Sequence, residues 1–76
     1  MDFEKIKLLA NEYADLFIKS EREFMQRFHQ DVPGFTIPEQ VAVFGLANTY
    51  HACKVGLIDK AEVIRVQRDI RKGYEG

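Results

Sequence analysis

Residues 31–47 read Asp31-Val32-Pro33-Gly34-Phe35-Thr36-Ile37-Pro38-Glu39-Gln40-Val41-Ala42-Val43-Phe44-Gly45-Leu46-Ala47, and the fold class turns on whether the apolar run that closes this stretch is helix or strand. Periodicity alone leaves both open, because Val41, Ala42, Val43, Phe44, Leu46 and Ala47 carry almost no polar interruption and a buried strand would look the same. The residues ahead of the run favour helix. Thr36-Ile37-Pro38-Glu39 has the form of a capping box: the Thr36 hydroxyl accepts from the Glu39 amide, Glu39 reaches back, and Pro38 sits where no amide partner is required. The spacing therefore predicts a helix over about 37–55. It is apolar nearly all round in its first half, as a central helix covered on more than one side would be.

Upstream, Asp31-Val32-Pro33-Gly34 is a strong breaker, since proline disfavours helix at the residue before it and glycine takes turn conformations readily. Between Phe3 and Phe28 there is neither glycine nor proline, and Phe3, Ile6, Ala10, Tyr13, Phe17, Ser20 and Phe24 recur at spacings of three and four. One long amphipathic helix over about 2–30 is expected, its continuity through Ser20 and Glu21 being left open by the sequence, with Asp15 and Lys19 placed to pair across one turn. Downstream, Gly56 reads as a helix C-cap with Leu57 as its hydrophobic contact. Asp59-Lys60-Ala61-Glu62 reads as a second capping box, with Ile58 placed to staple against Val63. The helix that follows, about 60–72, turns Val63, Val66 and Ile70 to one side and is expected to end at Gly73, with Tyr74 folding back.

The fold class implied is all-α: a single domain over residues 1–76 with a long N-terminal helix followed by a helix-turn-helix hairpin. A first helix of about 42 Å would overhang a second of about 30 Å. Its apolar stripe then needs cover from the Phe35 loop, the last helix or another chain, and completion as a homo-oligomeric bundle is the favoured expectation.

Composition narrows the function classes. The chain has 76 residues, near the lower limit for a self-sufficient core, and its 46% hydrophobic and 30% charged residues are those of a folded globule. Eleven basic against twelve acidic residues leave no chain-wide field to draw it onto nucleic acid or an anionic membrane. Cys53 is the single cysteine, which fits the reducing cytoplasm. Met1 to Ala10 lacks the layout of a signal peptide, and the run from Val41 to Ala47 is far shorter than the roughly 20 residues a bilayer requires.

Few residues offer chemistry. His29, His51 and Cys53 are the conventional metal-ligand types, but His51 and Cys53 lie two apart on a helix and so point about 200° apart. The same geometry weakens a Cys53–His51 nucleophile pair, and Ser20 reads as a small packing residue. Glu12 and Asp15 share a face, but nearby lysines make them ordinary solvated charges. No catalytic residue, cofactor or metal is expected, and the leading expectation is a non-enzymatic protein-interaction module that self-associates through the 2–30 helix and the first half of the 37–55 helix, with a heterologous protein as a further partner.

Phe17, Phe24, Phe28 and Phe35 surround the expected overhang and are the candidate interface residues. Asn48 to His51 form a polar group inside an apolar helix; the simpler reading is the solvent face of the second half of that helix, and the alternative is a helix interface, where such a residue can set register or oligomeric state. The alternative function is a small nucleic-acid-binding regulator using Arg65, Arg68, Arg71 and Lys72 on the last helix. Placing Gly56 at the turn of a helix-turn-helix reader, however, puts Glu62 and Arg65 where apolar packing is needed, and Arg65 with Asp69 forms a self-neutralising pair.

Overall fold

A computed structural model describes all of residues 1–76. It contains four α-helices and no strand: α1 (Phe3–Lys19), α2 (Glu21–Asp31), α3 (Ile37–Lys54) and α4 (Lys60–Glu75), with a 3-10 turn (Val32–Gly34) between α2 and α3. The apolar run of residues 41–47 is helical, and both halves of the Thr36/Glu39 capping box are formed.

The expected long first helix is in fact two. Ser20 leaves the helix at φ −169°, ψ 123°, ending α1 and serving as N-cap to α2, whose Glu23 amide it accepts. Folding back at Ser20 brings Phe24 edge-on to Tyr13 (5.8 Å) and Phe17 (5.3 Å), and sets Phe28 against Tyr13 (6.1 Å) and Phe44 (5.6 Å). A continuous helix would have carried both phenylalanines past the end of α3 into water. Burying an aromatic side chain of this kind is worth about 1.5–3 kcal/mol, so the two together offset the roughly 1 kcal/mol lost with each of the few backbone hydrogen bonds given up at one break.

A polar clamp holds the returning helix. The Tyr13 hydroxyl donates to the Asp31 carboxylate at 2.5 Å, Arg27 donates to the same oxygen at 2.7 Å, and Arg27 also reaches Glu12 at 3.3 Å. Burial, and then the bond to Asp31, push the Tyr13 hydroxyl well above the ordinary phenol range. Burial alone would raise the Asp31 carboxyl, but the bonds from Tyr13 and Arg27 and the Arg27 charge outweigh it and hold it below its ordinary value.

The helices run up, down, up, down. α1 and α3 are parallel, since the Met1 ammonium meets Glu39 at one end (3.0 Å) and Lys54 meets Asp15 at the other (2.8 Å). Asp15 thus pairs across helices, where pairing with Lys19 was expected. The core is the α1–α3 seam, with Ile6, Ala10, Tyr13, Val43, Leu46 and Ala47 buried and Phe24 closing it from α2.

Gly56 (φ +84°) ends α3 as anticipated, its amide bonding to Cys53 O and the Leu57 amide to Ala52 O, the paired bonds of a Schellman cap. The Leu57 side chain, expected to pack, is instead exposed. Asp59 accepts from the Glu62 amide, but the Glu62 carboxylate turns to Arg65, so the second capping box is only half formed. Nor does the last helix stop at Gly73. It runs to Glu75 because Tyr74 packs at a tilt against Phe3 (6.1 Å) and donates to the Met1 carbonyl, while Arg71 lies over the Phe3 ring (5.3 Å). Those contacts offset the roughly 1 kcal/mol that an internal glycine costs.

Candidate interaction surface

The Cα envelope measures 30 × 29 × 14 Å. The short dimension is that of two packed helices, since axes about 9 Å apart plus a Cα radius of about 2.3 Å on each side give roughly 14 Å. A slab two helices thick leaves every helix one face with nothing of its own chain against it. What occupies those faces is therefore informative.

On α3 the outward face is apolar. Ile37 is 73% exposed, Val41 68% and Phe44 44%, and Asn48 continues the line. These positions are separated by four, three and four residues, which places them in one row along the helix. α2 has 11 residues and α3 has 18. At 1.5 Å per residue, α2 is about 16 Å long against about 27 Å for α3, and it reaches α3 only near Phe44.

Two shallow grooves flank the row and share Val41 as their common wall. On the α4 side, Ile37, Pro38, Val41, Ile70 and Tyr74 line a groove of about 340 Å³. On the α2 side, Phe28, Gln40, Val41 and Phe44 line one of about 440 Å³. Neither groove has a charged residue in its lining. Surface positions of this kind are ordinarily filled by Lys, Glu or Arg, and contiguous apolar patches on a soluble monomer commonly mark contact sites.

The break at Ser20 separates the four candidate phenylalanines. Phe24 is 4% exposed and packed by its own chain, Phe17 is half-buried against Phe24 and His51, and Phe35 is half-buried with its carbonyl taken by Gln40. Of the four, only Phe28 lines a groove beside the α3 row. The overhang that singled them out does not exist, because the chain turns at Ser20. The first half of the 37–55 helix belongs to the expected self-association surface, but Ile37, Val41 and Phe44 are not singled out within it, because a helix apolar all round gives no sign of which face stays bare.

The basic residues of α4 are partly engaged. Arg65 is held by Glu62 and lies 3.5 Å from Asp69, and Arg71 is bonded to Glu75 at 2.9 Å. Arg68 and Lys72 are exposed and enter no ion pair. Their stripe is thus half neutralised within its own helix. His29 lies exposed on α2 and His51 packs edge-on to Phe17 at 4.3 Å. Cys53 is a half-buried free thiol that lines a cleft of about 300 Å³ between α1 and α4 with Tyr50, Val63, Ile64, Asn11, Lys54 and Lys60. No group of three or more His, Cys, Asp and Glu side chains is placed to hold a metal ion, and no helix is long and apolar enough to cross a membrane. Comparison with protein-family models, with curated proteins and with solved structures returns no match.

Proposed function

We propose that this chain is a non-enzymatic protein-interaction module of the cytoplasm that self-associates through the outer face of α3. The observation that carries the reading is the uncharged row Ile37, Val41, Phe44, laid bare because α2 is too short to cover it. Free Cys53 is consistent with a reducing compartment.

Magnitude sets the kind of association. Full burial of a Val, Ile or Phe side chain is worth about 1.5–3 kcal/mol. Three such residues left about half to three-quarters exposed therefore offer roughly 3–5 kcal/mol per copy, or about 6–10 for two. Association itself costs about 4–15 kcal/mol. The balance is a weak, reversible dimer rather than an obligate one. The chain's own compactness agrees with this: its accessible surface of 5014 Å² lies close to the roughly 4,800 Å² expected for a folded monomer of its mass.

Light scattering after size exclusion, across a wide range of protein concentration and salt, tests the reading. Mass rising from one chain toward two with concentration, and little altered by salt, is the expected result. A single-chain mass at every concentration would reject self-association. Nucleic-acid binding has less support, because of the four candidate contacts Arg65 and Arg71 are already paired within α4, which leaves Arg68 and Lys72 to meet phosphates.

A further inference from the structure

We infer that two copies meet α3 to α3 in parallel about a two-fold axis, with the Asn48 amides facing each other as the pair that sets the register; this rests on the self-association reading above. The row on α3 follows the four-three alternation of a coiled-coil seam: Ile37, Val41, Phe44 and Asn48, with half-exposed Val55 one heptad beyond Asn48. His51, the intervening position, is drawn aside onto Phe17 and leaves the seam.

The occupant that fits this row is the row itself. In a parallel pairing each position faces its own copy, so Ile37, Val41, Phe44 and Val55 meet apolar partners and Asn48 meets Asn48. An antiparallel pairing over the whole helix would set Phe44 against Asn48. Sliding it to match Val41 with Phe44 would still set Ile37 against Asn48 and leave Val55 unpaired. A third register, with Phe44 against Val55, would set Asn48 against His51 but leave Ile37 without a partner, so the parallel arrangement alone pairs all four apolar positions of the row with apolar ones and Asn48 with its own copy.

Asn48 is also free for this use. Its neighbours spend their side chains within the chain, Thr49 on the Gly45 carbonyl (2.8 Å) and Tyr50 on Gln67 (2.7 Å), whereas Asn48 is exposed and bonded to nothing in its own chain. An amide offers both donor and acceptor, so two of them satisfy each other across a two-fold axis. The residues beside the row that would approach the partner, Pro38, Gln40 and Gly45, carry no charge, so bringing like to like creates no repulsion.

Cross-linking tests the register. Helix axes about 8–10 Å apart with Cα atoms about 2.3 Å off axis leave roughly 3.5–5.5 Å between facing Cα atoms, which overlaps the range a disulfide spans. In a Cys53→Ser background, Asn48→Cys is expected to form a disulfide-linked dimer under mild oxidation, and Asn11→Cys, exposed on α1, is not. Adding Val41→Glu to Asn48→Cys should abolish the link. An Ile37→Cys chain that links to an Asn48→Cys chain, while Asn48→Cys fails to link to itself, would overturn the parallel register but leave self-association standing. A single-chain mass for the Cys53→Ser protein at every concentration would remove the reading beneath it.

Discussion

Replacing Val41 by glutamate separates the face from the fold. In the single chain Val41 is 68% exposed, so a longer charged side chain meets water and no intrachain contact of consequence is lost. Glutamate is also a slightly better helix former than valine, and monomer stability should therefore stay within about 0.5 kcal/mol of the parent. In the dimer the same position lies at the centre of the contact. Losing the two-thirds of a valine burial still available, at about 2 kcal/mol for the whole side chain, removes roughly 1.4 kcal/mol from each copy and about 3 from the pair. Placing two carboxylates opposite one another adds to that loss, so dissociation should become at least about 100-fold easier. Sedimentation or light scattering at matched concentrations reads the effect, and a urea titration beside it checks the fold. A variant that unfolds like the parent but no longer gains mass with concentration is the expected outcome. Equal dimerisation by variant and parent would refute the α3 face, and a marked drop in the variant's unfolding midpoint would refute its exposure.

Phe24→Ala, by contrast, should destabilise the single chain by about 3–5 kcal/mol, a large part of what 76 residues ordinarily hold, and a urea titration should show it even at concentrations too low for self-association. The Asp31 clamp gives a pH signature: because the folded-state value lies below the ordinary carboxylate value, its stabilisation is complete above about pH 4 and fades as pH falls through the lower folded value. Asp31→Asn should start less stable at neutral pH and lose less on acidification, as followed by thermal unfolding at a series of pH values, and parallel acid curves for the two proteins would dismiss the clamp. Titration with duplex DNA at low salt should show no binding, since Arg65 and Arg71, two of the four candidate contacts on α4, are already paired; binding that falls steeply with salt and is lost in an Arg68→Ala, Lys72→Ala variant would restore the nucleic-acid alternative.

Local chemistry was readable wherever a residue type dictates its own geometry. Thr36 with Glu39 and Gly56 with its positive φ lie where spacing placed them, because caps are decided within four or five residues. Ser20 shows where that reading stopped short. Ser20-Glu21-Arg22-Glu23 also has the Ser-x-x-Glu form of a helix start, but it lies inside a run without glycine or proline and with an unbroken apolar stripe. Stripe and cap predict different things, and the choice between them depends on what Phe24 and Phe28 can reach. That is set by Tyr13 and Phe44, eleven and twenty residues from Phe24 on opposite sides. The end at Gly73 was misplaced for the same reason, since the contacts that extend α4 come from Met1 and Phe3 at the far end of the chain.

The bare row on α3 is not a by-product of building the core. Core burial on this helix is served by Ala42, Val43, Leu46 and Ala47, which face α1, and close approach to α4 by Gly45, whose missing side chain leaves room for Ile70. Ile37 and Val41 contribute to neither. β-branched residues at exposed helical sites lower helix propensity by a few tenths of a kcal/mol relative to Lys, Glu or Arg, and they leave apolar surface in water. The monomer would fold at least as well with polar residues at both positions. A sequence that places caps where α3 must start and stop, and small residues where α4 must approach, uses its positions consistently with the fold everywhere else on this helix. The row from Ile37 through Asn48 is the exception on this helix, and the proposed pairing with a second α3 gives its alternation a use that the single chain does not.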